Sequence, residues 1–563
     1  MRKLFYFITV LLLFFQSNAQ EFSWGKRLGG EGEDVIRSLV VDAQGNSYAT
    51  GYFSDHCIFG EELQQTEIAS KGMFDIFISK TSPNGELLWV KAIGGTADDY
   101  GTAITVDSNG NVYITGIFQE TVNFNPNGTA QNLTSKGVQD IFVLKLNSSG
   151  NFVWVKVIGG ELYEETSAIQ VASNGEVYLA GYFTGVVDFD PSESENTISP
   201  IGLVDSFFAK LSDNGSLSWV KTIGGFMTTP MDMKLHNNNL YALGNFKKTT
   251  DFDPDSAQTH NITALGFDAY LLKLDLSGNF VNVTTTKSLN SSTGTTPTNL
   301  SIDENGNAYV SGYFGGSIDF GPDVEHNGQY TFTSESMLTG FVFKVGNDGK
   351  LVWANYPKPS TEEASSLGYG LVTNKNQETF VTGYIAGNVK FDDIELEQNT
   401  DHFMNAFVAK LDSQGKFVDA KLFAGSNFID THCAAMDADE NLYIGGAFTD
   451  LVNIDPTGNG SYYLFSRGYR DSYVVKLNNT DLKVKDINSK TDLLIYPNPT
   501  SDMIYLKSKE QISGNKYIIH DMAGREISTG VLDSKQEIKI NLLPKGNYIL
   551  KIGNKYQTKI IKN

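Results

Sequence analysis

Cysteine is nearly absent. The 563 residues hold two, Cys57 and Cys433, so no disulfide scaffold can carry the fold and a buried core must do so. Helical periodicity is absent beyond the N-terminus, which excludes bundles and coiled coils. Long apolar runs are absent too. Leu4–Phe15 covers about 12 residues, short of the roughly 20 that a spanning helix needs, and no second stretch reaches even that length. With Arg2 and Lys3 before it and Ser17-Asn18-Ala19 after it, this run reads as a secretory signal peptide over residues 1–19. No cysteine follows the cleavage site directly, so a lipoprotein is not expected. Basic residues are outnumbered, 43 Lys+Arg against 65 Asp+Glu, for a net charge of −22. The imbalance is local: residues 20–482 hold 27 basic and 57 acidic side chains, and residues 483–563 hold 14 and 8. So acidic a body repels nucleic acid and anionic lipid. Cations, basic proteins and neutral glycans remain as partners, and a solvated surface that keeps an exported protein soluble explains the charge equally well.

What the chain does contain is a repeat. Asp140–Gly160, DIFVLKLNSSGNFVWVKVIGG, reads as two apolar strands about a Ser-Ser-Gly-Asn turn, and it recurs 65 residues earlier and later. All five tryptophans, Trp24, Trp89, Trp154, Trp219 and Trp353, occupy one place in the unit, and Asn282 and Asp419 stand there in weaker copies. A lysine recurs in the third strand at 80, 145, 210, 273, 344, 410 and 476. In the first full repeat, strand a is expected at Ile36–Asp42, b at Asn46–Phe53, c at Asp75–Lys80 and d at Leu87–Ile93. A Gly-aromatic anchor in strand b recurs seven times, from Gly51 to Gly446, at spacings of 63 to 71 residues. The runs are apolar without clean alternation, as in strands buried on both faces. Four-stranded meanders stacked on like neighbours make a propeller. The chain opens with a lone d strand, Phe22–Leu28, and its seventh repeat stops after strand c, Asp471–Leu477. The expectation is a ring of seven blades over residues 20–477, closed by the N-terminal strand, which also removes exposed edges.

These elements (Gly-Gly, Asp-x-x-Gly-Asn, Tyr-x-x-Gly and Asp-x-Phe-x-x-Lys) resemble the bacterial SBBP-type β-propeller repeat family over about residues 22–477. Repeat 4 departs at His236–Asn239 and repeat 6 at Asn374–Gln377. The resemblance implies a fold rather than an activity. After a polar linker, 478–492, the pattern changes. Short alternating strands over 493–563 suggest a small Ig-like β-sandwich. Tyr496-Pro497-Asn498-Pro499, then Asp521-x-x-Gly524-Arg525, then Gly546-x-Tyr548 resemble the type A C-terminal sorting domain of the type IX secretion system of Bacteroidota. That resemblance implies the type IX machinery as partner. It also implies export through the periplasm to the outer surface of the outer membrane or beyond, usually with loss of this domain.

Candidate chemistry is sparse. A residue present in every repeat is read as packing or turn, not as a catalytic group. No HExxH, nucleophile elbow, phosphate loop or haem motif occurs, and the six histidines of the body are scattered. The turn Ser212-Asp213-Asn214-Gly215 only partly matches a sialidase Asp box. The body's four arginines, Arg27, Arg37, Arg467 and Arg470, are too few for a sialidase cluster. All four fall in the first or last repeat, as a basic spot or as seam ion pairs. A bridge between Cys57 and Cys433 is open on the same grounds, since those repeats would be neighbours. Asp-Phe-Asp-Pro elements recur at Asp188–Pro191 and Asp251–Pro254, with Asp319–Pro322 close to them and weaker forms at 123–126 and 453–456. Asp188, Asp190, Asp251 and Asp253 could offer oxygens to Ca²⁺; the alternative is that Phe packs and Asp caps a turn. The b–c and d–a connections are long and vary, so the ligand face is expected at their end of the ring. There an acidic rim gathers Asp188, Asp190, Asp251, Asp253, Asp319, Glu164, Glu165, Glu362 and Glu363. The expected function is an exported module that binds a glycan or protein; a polysaccharide hydrolase or lyase and a structural surface component are the alternatives.

Overall fold

The computed structural model describes residues 19–60, 65–192, 194–322, 328–398, 404–457, 462–480, 493–496, 500, 502–508, 512–520, 525–553 and 556–562. Every regular element among them is a strand. The chain divides into two compact units, 1–479 and 480–563.

In the first unit the strands form four-stranded antiparallel meanders. The first is Asp34–Val41, Ser47–Phe53, Asp75–Thr81 and Leu87–Ile93, within two residues of the expected limits. The inner strands are Asp34–Val41, Tyr100–Val106, Glu164–Val171, the second half of Leu217–His236, Gly294–Ile302, Ser365–Thr373 and Ile429–Met436. Each packs beside the inner strands of its two neighbours, and the last lies beside the first, so the ring is closed. Ala19–Gly30 is the outer strand of the final meander, beside Asp471–Thr480. Ser472 Oγ takes the Ile36 N–H at 2.7 Å and donates to Asp34 O at 2.9 Å, and the Tyr443 hydroxyl donates to Gly45 O across the same seam.

Burial follows the seams. Seven apolar clusters each draw on two adjacent meanders; one holds Tyr113, Ile141 and Val143 from the second and Leu179, Phe183 and Phe207 from the third. This is why the strands lack alternation: both faces meet another sheet. A fully buried aromatic or aliphatic side chain contributes about 2–3 kcal/mol, and each seam holds a dozen or more. The recurring residues lock neighbours together. Trp24, Trp89, Trp154, Trp219 and Trp353 each donate Nε1–H to a carbonyl in or beside the c–d turn of the next meander, at 2.9–3.4 Å. The lysines at 80, 145, 210, 273, 344, 410 and 476 lie over the ring of the aromatic residue opposite on strand b, 4.9–5.5 Å from its centre.

The departures at repeats 4 and 6 have simple causes. In repeat 4 the turn shrinks to Asn237-Asn238, both at positive φ, which asparagine tolerates. In repeat 6 Asn374 accepts two backbone N–H groups as the usual Asp does, and Gln377 takes the positive φ of the usual Gly. One connection differs from expectation. The d–a connection into the fourth repeat, Phe226–Pro230, is strand and not loop. It sits inside Leu217–His236, because Asn239–Asp251 continues far enough to pair with it through Gly224↔Asp251. Cys57 and Cys433 are buried and free, within one cluster.

The second unit has a three-stranded sheet, Leu493–Tyr496, Met503–Ser508 and Glu537–Lys539. It also has a four-stranded sheet, Glu526–Val531, Lys516–His520, Gly546–Ile552 and Tyr556–Lys562. Ile504, Ile519, Ile538, Leu550 and Ile560 share one core. No helix among the described residues is long and apolar enough to cross a membrane.

Candidate functional site

The Asp-Phe-Asp-Pro loops resolve into packing and caps. Phe189 and Phe252 are fully buried and stand edge-on to Phe183 and Phe246 at 5.4 and 5.0 Å. Asp188 Oδ1 accepts the N–H groups of Asp190 and Asn196; Asp251 Oδ1 accepts those of Asp253 and His260. Asp190 and Asp253 cap the next turn through Ser192 and Asp255. Asn123 and Asn453 serve identically in their own repeats. An amide that replaces the carboxylate shows that the loop needs an acceptor, not a charge. Asp188 Oδ2 also meets Lys136 Nζ at 3.1 Å. The four carboxylates come as two pairs in separate meanders, and among the described residues no three His, Cys, Asp or Glu side chains are placed to hold a metal.

Glu164, expected on the acidic rim, is wholly buried. The strand-a carboxylates Asp34, Asp99 and Glu164 each accept the N–H of the second Gly of the preceding Gly-Gly, at 2.7 Å. The first Gly of each pair lies against a strand-c Asp: Gly29 on Asp471, Gly94 on Asp75 and Gly159 on Asp140. Two carboxyl groups therefore face each other at three successive seams. Burial, opposed by the N–H bonds and reinforced by the facing carboxylate, pushes Asp34 and Asp99 up to about 7 and Glu164 up to about 8.

The inner wall is different in kind. Every inner strand carries a register shift at one equivalent place, where it pairs with strand b. The residues in that bulge are Arg37, Thr102, Ser167, Met231, Thr298, Tyr369 with Gly370, and His432. Bulges re-aim side chains, and they concentrate at rims and sites. Here a uniform scaffold presents six different kinds of side chain from its seven repeats. Two sectors form around them. In one, a cavity of about 350 Å³ is lined by Arg37, Tyr100, Thr102, Ile117, Glu165 and Ser167, from three successive meanders. Arg37 lies over Tyr52 at 5.5 Å, Tyr52 meets Tyr100 edge-on at 5.0 Å, and the Tyr182 hydroxyl donates to Glu165 at 2.7 Å. In the other sector Tyr369 stacks on Tyr384 at 5.8 Å and meets His432 at 6.2 Å. His432 and Arg470 both contact Asp430, and against the effect of burial they hold its carboxyl below the usual range.

The arginines thus separate. Arg27 pairs with Asp471 and Arg470 with Asp430 inside the final meander, and Arg470 also reaches Glu33 across the seam to the first. Arg37 belongs to the cavity. Repeat logic passed over the bulge residues because they do not repeat. The available signal was that scatter: one variable column inside strand a, between neighbours that keep their type.

At the same end, the residue two places before strand c is apolar and exposed in five meanders: Met73, Val138, Leu203, Met337 and Tyr469. Pro497, Asn498, Pro499, Asp521 and Gly524 lie outside the described residues, as does the expected signal peptide before residue 19. Gly546 opens a strand of the second unit, and the buried Tyr548 donates to Pro544 O at 2.8 Å.

Residues 88–116 match the family described as a beta-propeller repeat. Residues 494–563 match the family described as a secretion system C-terminal sorting domain. The first unit is a β-propeller, and one of its repeats matches that family. The protein carries a sorting domain for type IX secretion and is delivered to the cell surface or released. An uncharacterised WD repeat-containing protein of Acanthamoeba polyphaga mimivirus is 23% identical over 246 residues, 37% of this chain and 18% of that protein. The regulatory protein FlaEY of Caulobacter vibrioides is 27% identical over 161 residues, 28% of this chain and 17% of that protein. The chain thus spans under a fifth of either relative. Among solved structures, U3-55K aligns at a TM-score of 0.41 with 8% identity, over 81% of this chain and 99% of that one. Drosophila Semaphorin 2a aligns at 0.36 with 7% identity, over 97% and 99%.

Proposed function

We propose that the propeller is a binding module for an extracellular glycan or protein, and that its recognition surface is the inner wall at the end bearing the b–c and d–a connections. The observation that carries this reading is the bulge at one place in every inner strand. Across the seven bulges stand Arg37, Thr102, Ser167, Met231, Thr298, Tyr369 and His432, six residue types in seven places, while the lysines and turns around them repeat. A scaffold that is constant where it packs and variable where it is re-aimed is built for recognition. The exposed apolar side chains at 73, 138, 203, 337 and 469 add contact area at the same end. The acidic rim becomes secondary, since Asp188 and Asp251 serve the loops themselves; any metal that does bind at Asp188, Asp190, Asp251 and Asp253 is Ca²⁺-like.

The test is retention of labelled full-length protein on isolated cell envelopes and on a mixed glycan and protein array. Arg37→Ala with His432→Ala should abolish retention while the protein still unfolds in one cooperative transition. Changes in the short turns, such as Glu86→Gln and Asn109→Ala, should leave it intact. Retention that survives the inner-wall pair and falls with the short-turn pair would place recognition on the opposite face.

A further inference from the structure

We propose that the cavity between the first three meanders is a saccharide site that takes a neutral pyranose unit, an inference that rests on the inner wall being the recognition surface. The cavity's volume of about 350 Å³ lies at the small end of ligand pockets, which run from roughly 300 to 1,000 Å³. That suits a mono- or disaccharide and not a folded partner. Its walls supply the three kinds of contact that a sugar uses. Tyr100 is an aromatic wall, fixed by Tyr52 edge-on and by Phe74 at 5.7 Å. Arg37 is a donor fork. It is exposed, rests on the Tyr52 ring and forms no ion pair among the described residues, unlike Arg27 and Arg470. Glu165 is the acceptor; one oxygen takes the Tyr182 hydroxyl, which fixes the carboxylate and leaves the other oxygen to the cavity. The Thr102 and Ser167 hydroxyls, both at bulges, donate to Thr115 O at 3.2 Å and Ala180 O at 3.4 Å, which leaves their lone pairs to accept from a sugar hydroxyl.

Charge selects the class of sugar. One guanidinium and one carboxylate face the cavity, so a ligand of no net charge leaves neither unpaired. Adjacent sugar hydroxyls can accept from Arg37 and donate to Glu165 together. A uronate or sialate would satisfy Arg37 but place its carboxylate before Glu165, within a body that carries 57 acidic against 27 basic residues.

The experiment is calorimetric titration of the purified full-length protein with cellobiose, xylobiose, mannobiose and diacetylchitobiose, and with digalacturonate as the anionic probe. At least one neutral disaccharide should bind with a Kd at or below the millimolar range, and digalacturonate should bind more weakly. Arg37→Ala, Tyr100→Ala and Glu165→Gln should each weaken that binding about tenfold or more, while Glu86→Gln at the opposite end should not. Because Tyr100 packs at a seam, Arg37→Ala and Arg37→Lys serve as variants on an exposed bulge with no seam contact to lose. The inference is overturned if none of the four neutral sugars binds. It is equally overturned if digalacturonate binds best, or if Arg37→Ala and Glu165→Gln leave the affinity unchanged. Envelope retention separates this failure from that of the broader reading. Loss of retention in the Arg37→Ala, His432→Ala protein without sugar binding removes the saccharide and keeps the inner wall. Retention that persists in that protein removes both.

Discussion

Substituting Glu164 by Gln should flatten the pH dependence of the propeller's stability. Glu164 is wholly buried, its Oε1 accepts the Gly160 N–H, and its Oε2 has no protein donor. Asp140 faces it, with its own oxygens already accepting from Lys136 and Gly137. Burial above all, with the facing Asp140 carboxylate second, pushes the residue up to about 8, and a proton on Glu164 Oε2 satisfies both groups. The folded-state value lies above the unfolded one, so the native protein holds a proton that the unfolded chain has released. The stability linked to it is complete below the unfolded value, near 4.5, and is lost as pH rises through about 8. At about 1.4 kcal/mol per pH unit, the interval from pH 5 to pH 8 removes roughly 4 kcal/mol. A ring of this size unfolds with an entropy of about 1 kcal/mol/K, so the loss is a fall of about 4 °C in Tm. Gln keeps the acceptor for Gly160 and gives its amide to Asp140 without a proton to lose. Differential scanning calorimetry at pH 5, 6, 7 and 8 should show wild type falling more steeply than Glu164→Gln by about that amount. Glu362→Gln, at an exposed carboxylate of the same end, should match wild type. Equal slopes for wild type and Glu164→Gln, or a wild type that gains stability from pH 5 to 8 while the variant does not, would refute the shared proton.

Removal of residues 19–30 should expose the edge of Asp471–Thr480 and shift the protein to aggregates on size-exclusion chromatography; Trp24→Ala alone should cost about 3 kcal/mol in chemical denaturation. Gly159→Ala should destabilise by about 2 kcal/mol or more, because its Cβ would sit 2.2 Å from Asp140 Cγ, whereas Gly294→Ala should be mild, with Phe267 Cβ at 3.3 Å. Asp188→Ala and Asp251→Ala should each cost about 1–2 kcal/mol for two lost backbone bonds, equally in Ca²⁺ and in chelator; a Ca²⁺-dependent rise in wild-type Tm that these variants abolish would favour the metal. Truncation after residue 479 should leave the propeller in the periplasm on cell fractionation, and normal surface delivery of that product would contradict the sorting role of residues 494–563.

Local pattern made much of this protein legible. Residues that recur at one spacing must occupy one environment, so the repeats disclosed an all-β propeller, and the strand limits of the first meander fell within two residues of those observed. The motif series from Tyr496 to Tyr548 disclosed the export route in the same way. Asp188 and Asp251 were legible only as a choice between cap and ligand. The hydrogen bonds from Asn196 and His260 come from residues eight and nine positions on, and turn chemistry within the tetrapeptide does not contain them.

Tertiary structure decided the rest, because the remaining questions concern pairs of residues from different repeats. Glu164 looked like rim charge in sequence and is a buried partner of Asp140, 24 residues away, because the d–a connection folds one meander's end onto the next meander's start. Arg27, Arg37 and Arg470 are one residue type in one region of the ring. Arg27 and Arg470 are held by carboxylates on other strands of the final meander, with Glu33 of the first meander added for Arg470, and only Arg37 is re-aimed by a bulge into a cavity walled by Tyr100 and Glu165. The sequence by itself determined what every repeat shares, since identical packing demands identical residues. It left undecided what each repeat does alone, since a side chain that differs from its counterparts has a meaning only once the fold has placed its neighbours around it.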